Sequence, residues 1–181
     1  MQHKLINLKQ YENALKDHGK AIELNPKYAT AYNSRGLTYY KLKQYGNALK
    51  DYDKTIELNP ELTLAYSNRG YTYRKLKQYE NALKDHAKTI ELDPKDALSY
   101  NYRGECYRLQ GNYTEAIKNY QKTIELDSKN PFAYYNLGFS YYITNRPYLS
   151  IRAYLLGFIN EENVLDALQS LTFEDIISGR F

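Results

Sequence analysis

The sequence predicts an all-α fold, a solenoid of antiparallel helix pairs, and three observations carry that prediction. A ten-residue phrase recurs every 34 residues: AYNSRGLTYY from Ala31, AYSNRGYTYR from Ala65, SYNYRGECYR from Ser99 and AYYNLGFSYY from Ala133. A fixed period of this length marks stacked supersecondary units. Within each period the small and apolar residues fall at helical spacing, Tyr32, Gly36 and Tyr39 in one stretch and Ala48, Tyr52 and Thr55 in a second. Finally, Pro26, Pro60 and Pro94 punctuate the chain at the same step, with Ser128 at the next.

The elements run in order along the chain. Residues 1–28 are a partial unit whose second helix runs from Tyr11 to Leu24, with a shortened first helix before it, because Met1 falls at the seventh place of a unit. Such a start is consistent with a fragment of a longer chain. Complete units occupy 29–62, 63–96, 97–130 and 131–164, making residues 1–164 one array. Small residues at Gly36, Gly70, Gly104 and Gly138, and at Ala48, Ala82 and Ala116, let the two helices of a unit approach closely. Asn59-Pro60 stops a second helix, since proline cannot continue it and its predecessor avoids helical angles. Asn130-Pro131 starts a first helix, with Asn as cap and Pro in the first turn.

The C-terminal fifty residues differ. The helix expected from Pro147 to Ile159 is apolar nearly all round, with Tyr148, Leu149, Leu155, Leu156 and Ile159 at places that are polar earlier. An all-round apolar helix is normally buried. In residues 165–181, Leu165, Leu168 and Leu171 suit a capping helix, and Phe173, Ile176 and Ile177 a final turn. A cap shields one face, so the reading includes self-association of the C-terminal region, as a homodimer, through those five apolar residues.

Composition narrows the class. Hydrophobic residues make up 43% and charged ones 25%, which argues against disorder. Residues 1–130 hold 22 basic and 16 acidic side chains, a balance of +6; residues 131–181 hold 3 and 5, a balance of −2. A single cysteine, Cys106, excludes an internal disulfide framework. With no secretory leader and no apolar run long enough for a membrane span, an intracellular, cytoplasmic setting is expected.

The recurring places resemble the tetratricopeptide repeat: a large aromatic at Tyr32, then Arg35-Gly36, Tyr39, Ala48, Tyr52, Thr55 and Pro60. The resemblance implies a right-handed superhelix with a C-terminal capping helix, and a non-enzymatic scaffold or adaptor that holds a protein or peptide partner in its concave groove. It implies a groove lined by the second, fifth, ninth and twelfth residues of each first helix. Those are Thr30, Asn33, Leu37 and Tyr40; Leu64, Ser67, Tyr71 and Arg74; Leu98, Asn101, Glu105 and Arg108; and Phe132, Tyr135, Phe139 and Tyr142. Asn68 joins them at a place where relatives clamp the carboxylate of chaperone tails. Leu37, Leu98 and Tyr102 stand where that clamp needs polar or basic groups, so chaperone-tail binding is not expected.

Arg35, Arg69 and Arg103 stand where the family usually has leucine, and Leu137 takes that place in the fourth unit. Each arginine has an aspartate in the helix before it, giving expected inter-repeat pairs Arg35–Asp17, Arg69–Asp51 and Arg103–Asp85. The lysine pairs Lys16/Lys20, Lys50/Lys54, Lys84/Lys88 and Lys118/Lys122 form a ridge, but Glu23, Glu57, Glu91 and Glu125 stand within reach along the helix. A self-neutralised face is expected rather than a nucleic-acid site.

No catalytic constellation is visible. His18 and His86 take the aromatic place of Tyr52 and Tyr120, and Cys106 takes a slot for small side chains. No Cys/His cluster has metal spacing, and no Gly-rich phosphate loop comes after a strand, so neither metal nor cofactor is expected. A second reading makes the chain a regulatory or targeting segment of a larger enzyme.

Overall fold

The computed structural model describes residues 2–158, and the side chains of residues 9–157. It is all α-helix between its turns: α1 (Gln2–Leu24), α2 (Ala29–Lys41), α3 (Tyr45–Leu58), α4 (Thr63–Lys75), α5 (Tyr79–Leu92), α6 (Ala97–Leu109), α7 (Tyr113–Leu126), α8 (Pro131–Ile143) and α9 (Pro147–Phe158). The chain divides into two compact units, Met1–Pro94 and Lys95–Phe181. In the first, α1 to α5 each pack on the next; in the second, α6 to α9 do the same. Ile159 and the expected cap over residues 165–181 lie outside the described residues.

Each pair closes on a glycine. A Cβ on Gly36 would sit 2.7 Å from Cε1 of Tyr52, on Gly104 2.8 Å from Cε1 of Tyr120, and on Gly138 2.9 Å from Cε1 of Tyr154. The ring of the second helix therefore lies directly against the bare backbone of the first. Tyr52, His86 and Tyr120 are fully buried there, as expected for His86 in an aromatic slot. Cys106 is likewise fully buried.

The turns inside the pairs share one backbone device. Lys43 and Lys77 (φ 60°), Gly111 (φ 79°) and Asn145 (φ 55°) occupy the same place in successive units, two residues past the first helix. A left-handed residue there closes the helix end. For lysine the conformation costs about 1 kcal/mol or more. That cost explains a departure from the expected elements. The same Leu-Lys-Gln occurs at Leu8-Lys9-Gln10, yet α1 runs unbroken through it from Gln2 to Leu24. Continuing the local helix through Lys9 spares the cost of a left-handed lysine. Ala14 is half-buried, whereas Ala48, Ala82 and Ala116 are fully buried.

Helix starts differ between the units. In the second, Asp96 accepts from the Leu98 amide at 3.1 Å, Asn112 from Glu115 at 3.2 Å and Asn130 from Ala133 at 3.1 Å. In the first, Tyr28, Gln44, Leu62 and Gln78 stand at the starts with no side-chain cap. The ends of α3, α5 and α7 are held alike: the buried hydroxyls of Thr55, Thr89 and Thr123 donate to the carbonyls four residues back.

The glycine contacts and the strained turns make stability predictions that urea denaturation can measure. Gly36→Ala costs about 1–3 kcal/mol, because a buried tyrosine ring must move. Gly70→Ala costs less, because its Cβ would lie 3.0 Å from the smaller His86 ring. Lys77→Gly raises stability by about 0.5–1 kcal/mol through relief of the left-handed strain.

Candidate functional site: the faces of the first helices

An arginine anchors three of the first helices, α2, α4 and α6, and its partner differs from the sequence expectation. Arg35 donates from Nε and Nη2 to the two carboxylate oxygens of Asp51, at 2.8 and 2.7 Å. Arg69 grips Asp85 the same way, at 2.9 and 2.7 Å. Arg103 donates from Nε to Oδ1 of Asn119 at 2.7 Å. The pairing is within the unit, not to the unit before, so the pairs Arg35–Asp17, Arg69–Asp51 and Arg103–Asp85 are corrected. Asp17 is exposed to water, and Asp51 and Asp85 already face the arginine of their own unit.

The reason lies beside the glycine. Gly36 touches the ring of Tyr52, so the preceding residue Arg35 faces the preceding residue Asp51. In the fourth unit the same two places hold Leu137 and Ala153, both buried in an apolar cluster with Ala116, Ile117, Tyr120 and Tyr141. The pair grades along the chain from Arg–Asp to Arg–Asn to Leu–Ala, and only the last step changes both sides of the contact. Tyrosines sandwich the guanidinium: Arg35 lies 5.5 and 5.9 Å from the centroids of Tyr32 and Tyr39, and Arg69 5.7 and 6.0 Å from Tyr66 and Tyr73. Cation–π contact adds to the fork-shaped hydrogen bonding.

Arg69 also reaches back one unit, from Nη1 to Oδ1 of Asp53 at 2.7 Å, and so ties α4 to both α3 and α5. The corresponding places for the other two arginines hold Gly19 and Ala87, which offer no acceptor side chain. Burial works against the Arg69 charge, but the two carboxylates more than offset it and its pKa rises. Burial pushes the Asp85 carboxyl up, against the pull of Arg69.

The candidate partner faces are described unit by unit. In the first unit, Leu37 and Leu64 are exposed at 40% and 54%, which makes them accessible apolar anchors. Tyr40 meets Tyr71 edge-on at 5.4 Å, and the Arg74 guanidinium lies 4.5 Å over the Tyr71 ring. Burial and the neighbouring tyrosine raise the Tyr40 pKa, so it stays a neutral donor. Asn33 is buried and its Oδ1 accepts from Nδ2 of Asn68 at 3.2 Å, so it orients Asn68 rather than facing water. The Tyr40–Tyr71–Arg74 stack is not among the sequence expectations; its signal is tyrosine at the twelfth place of one first helix and the ninth of the next.

In the second unit, Leu98, Phe132, Tyr135 and Tyr142 are exposed. Asn101 is buried, Glu105 half-buried, and the Arg108 guanidinium lies 5.7 Å over the half-buried Phe139 ring. Of the residues expected to drive self-association, Tyr148, Leu149, Leu155 and Leu156 are half-buried, and Leu149 packs on the apolar cluster. Their neighbour Ile151 is exposed.

Four lysines of the ridge hold a glutamate on their own helix. Lys54–Glu57, Lys88–Glu91 and Lys122–Glu125 pair at 2.5, 2.6 and 2.6 Å, and Lys118 turns to Glu115 at 2.6 Å. Among the described residues no helix is long and apolar enough to cross a membrane, and no group of three His, Cys, Asp or Glu could hold a metal.

Comparison with known proteins agrees on the repeat. Family models described as tetratricopeptide repeat match residues 29–62, 63–96 and 87–118, and one described as TPR repeat matches 3–43 and 104–143. No curated protein sequence matches the chain. Among solved structures, a MamA from Desulfovibrio magneticus RS-1 is 21% identical with a TM-score of 0.78, covering 93% of each chain. YrrB, described as a TPR protein with an unusual peptide-binding site, is 23% identical with a TM-score of 0.72 over 93% of this chain and 88% of its own. The first TPR of Spaghetti (RPAP3), bound to the HSP90 peptide SRMEEVD, is 25% identical with a TM-score of 0.64 over 65% of this chain and 93% of its own.

One substitution tests the anchor. Arg69→Ala costs about 3 kcal/mol, because it strands the buried Asp85. The double change Arg69→Leu with Asp85→Ala, which copies the fourth unit, costs less than the single one. In Arg69→Ala the Asp85 carboxyl keeps the burial that raises its pKa and loses the arginine that lowered it. A carboxyl raised in the fold above its unfolded value contributes stability in acid that is lost as pH rises through the folded value. The deficit of Arg69→Ala against wild type is therefore smaller near pH 4 than near pH 7, read from urea melts at the two pH values.

Proposed function

This chain belongs to the tetratricopeptide repeat family, and from that premise we propose that it is a non-enzymatic interaction scaffold that holds a peptide segment of a protein partner on its first-helix faces. The observation that carries the proposal is the presentation of Leu37 and Leu64 to water beside the Tyr40–Tyr71–Arg74 stack. A scaffold has no folding reason to leave leucines in water at neighbouring repeats. Beside a neutral tyrosine hydroxyl, a stacked guanidinium and the Asn68 amide, they suit a peptide with apolar anchors and free backbone carbonyls. In the second unit Leu98, Phe132, Phe139 and Tyr142 supply a further apolar row.

Two solved relatives are described as peptide-binding, YrrB and the Spaghetti repeat with its acidic chaperone peptide. Leu37, Leu98 and Tyr102 argue against the same ligand here, since an apolar side chain cannot repay the desolvation of a carboxylate. Enzyme-segment and nucleic-acid readings have less support: the ridge lysines Lys54, Lys88, Lys118 and Lys122 already hold glutamates.

Selection of random dodecapeptides on the full chain tests the proposal. Enrichment of peptides with spaced apolar residues is expected. Leu64→Glu should weaken their binding at least tenfold without changing the melt, while Lys54→Glu on the second helix should leave it unchanged. The peptide SRMEEVD should bind more weakly than about 1 mM. No enrichment, or equal loss with Lys54→Glu, refutes the assignment.

A further inference from the structure

The stretch Lys-Leu-Lys-Gln-Tyr occurs twice, at 41–45 and 75–79, where α2 turns into α3 and α4 into α5. Lys41, Lys43, Lys75 and Lys77 are all exposed, and Lys43 and Lys77 take the left-handed backbone at φ 60°. In the turns from α6 to α7 and from α8 to α9 the first three of these places read Leu109-Gln110-Gly111 and Ile143-Thr144-Asn145. Those turns use glycine and asparagine, which accept the conformation most readily, and they carry no cation. Backbone geometry therefore argues against lysine at 43 and 77, and folding alone gives no reason for the pair.

Packing gathers the four charges on one edge of the first compact unit. The Tyr40 ring, next to Lys41, meets Tyr45 at 5.5 Å and Tyr71 at 5.4 Å, and the Lys75 ammonium lies 5.5 Å over the same Tyr71 ring. The end of α2 thus stands beside the end of α4, with both turns on one side. Lys54 and Lys88, on second helices of the same unit, hold Glu57 and Glu91, whereas none of the four turn lysines pairs with a carboxylate among the described residues. The sequence supplies little acid nearby: none from 36 to 48, and Glu80 alone from 70 to 82. Residues 1–94 hold 16 basic and 11 acidic side chains, a balance of +5; residues 95–181 hold 9 and 10, a balance of −1.

We infer that this edge is a docking surface for an acidic protein segment, whose Asp or Glu side chains pair with Lys41, Lys43, Lys75 and Lys77. Lysine ammoniums on flexible stems accept carboxylates from many directions and need no planar fork. Nucleic acid fits less well. The tyrosines nearest the edge, Tyr40, Tyr45 and Tyr71, are half-buried and stacked on one another and under Arg74, which leaves little ring face for a base. The left-handed strain at Lys43 and Lys77 is then what the fold gives up to keep charge at the turns. This inference stands apart from peptide binding at Leu37 and Leu64, because it needs only the turn charges.

Fluorescence anisotropy of labelled octaglutamate, titrated with the full chain, tests the edge. The salt is set at about 0.1 M, where charges more than about 10 Å apart are largely screened. Octaglutamate should bind, and more tightly than an oligo-dT of equal charge. Lys43→Gly with Lys77→Gly should weaken that binding about tenfold, because two ion pairs are lost. The same variant should melt at higher urea, because both turns lose their strain, so weaker binding cannot be put down to a damaged fold. Lys50→Gln with Lys84→Gln removes as much charge from exposed places on α3 and α5, and should change affinity by no more than about twofold. Equal loss in the two double variants overturns the inference, since net charge alone is then responsible. Failure of octaglutamate to bind, or unchanged affinity in the turn variant, overturns it as well. Tighter binding of the oligo-dT overturns it in favour of a nucleic-acid edge.

Discussion

The structure depends on how closely two helices can approach at one glycine. With Cβ absent, the tyrosine or histidine ring of the second helix rests on the backbone of the first, at a separation no side chain could share. That contact sets the rotation of both helices. One residue earlier on each, the arginine and the aspartate are then brought face to face, with tyrosines above and below the guanidinium. Packing precedes charge in this hierarchy: the ring contact decides where the charges meet, and the charges then lock the contact against sliding.

The pair also shows how a repeat can change chemistry without changing geometry. Arg–Asp, Arg–Asn and Leu–Ala occupy the same two places in the same backbone. A buried ion pair is no more stabilising than a well-packed apolar pair of similar volume, but half of either is costly. In the fourth repeat both partners change together, so no charge is stranded there; in the third, the Asn119 amide oxygen still accepts from Arg103. Arg69 goes further by holding a carboxylate in each flanking second helix, which couples neighbouring units in a fold whose stability is otherwise a sum of local terms.

Function in such a stack belongs to the residues that the stack does not consume. Positions on the first helices divide according to the next helix in the stack: the fifth place is buried at Asn33 and Asn101, half-buried at Ser67, and exposed at Tyr135, beyond which no further first helix is described. The second place carries an apolar side chain into water at Leu64, Leu98 and Phe132, and the ninth does so at Leu37. The division explains why Asn33 and Asn101 are buried while Leu37, Leu64 and Leu98 are open to water.

The sequence by itself determined the helical class, the 34-residue units, the helix boundaries at Asn59-Pro60 and Asn130-Pro131, and the burial of His86 and Cys106. These arise from local periodicity and from steric limits that proline, glycine and small residues impose on any helix pair. Tertiary structure alone decided the arginine partners, because aspartates one unit before and in the same unit recur at the same interval and periodicity cannot separate them. It decided that α1 runs through Leu8-Lys9-Gln10, because identical tripeptides take a strained turn only where packing offsets the strain. It decided, too, which groove positions meet water, since one first-helix place is core or surface according to whether a neighbour is seated on it.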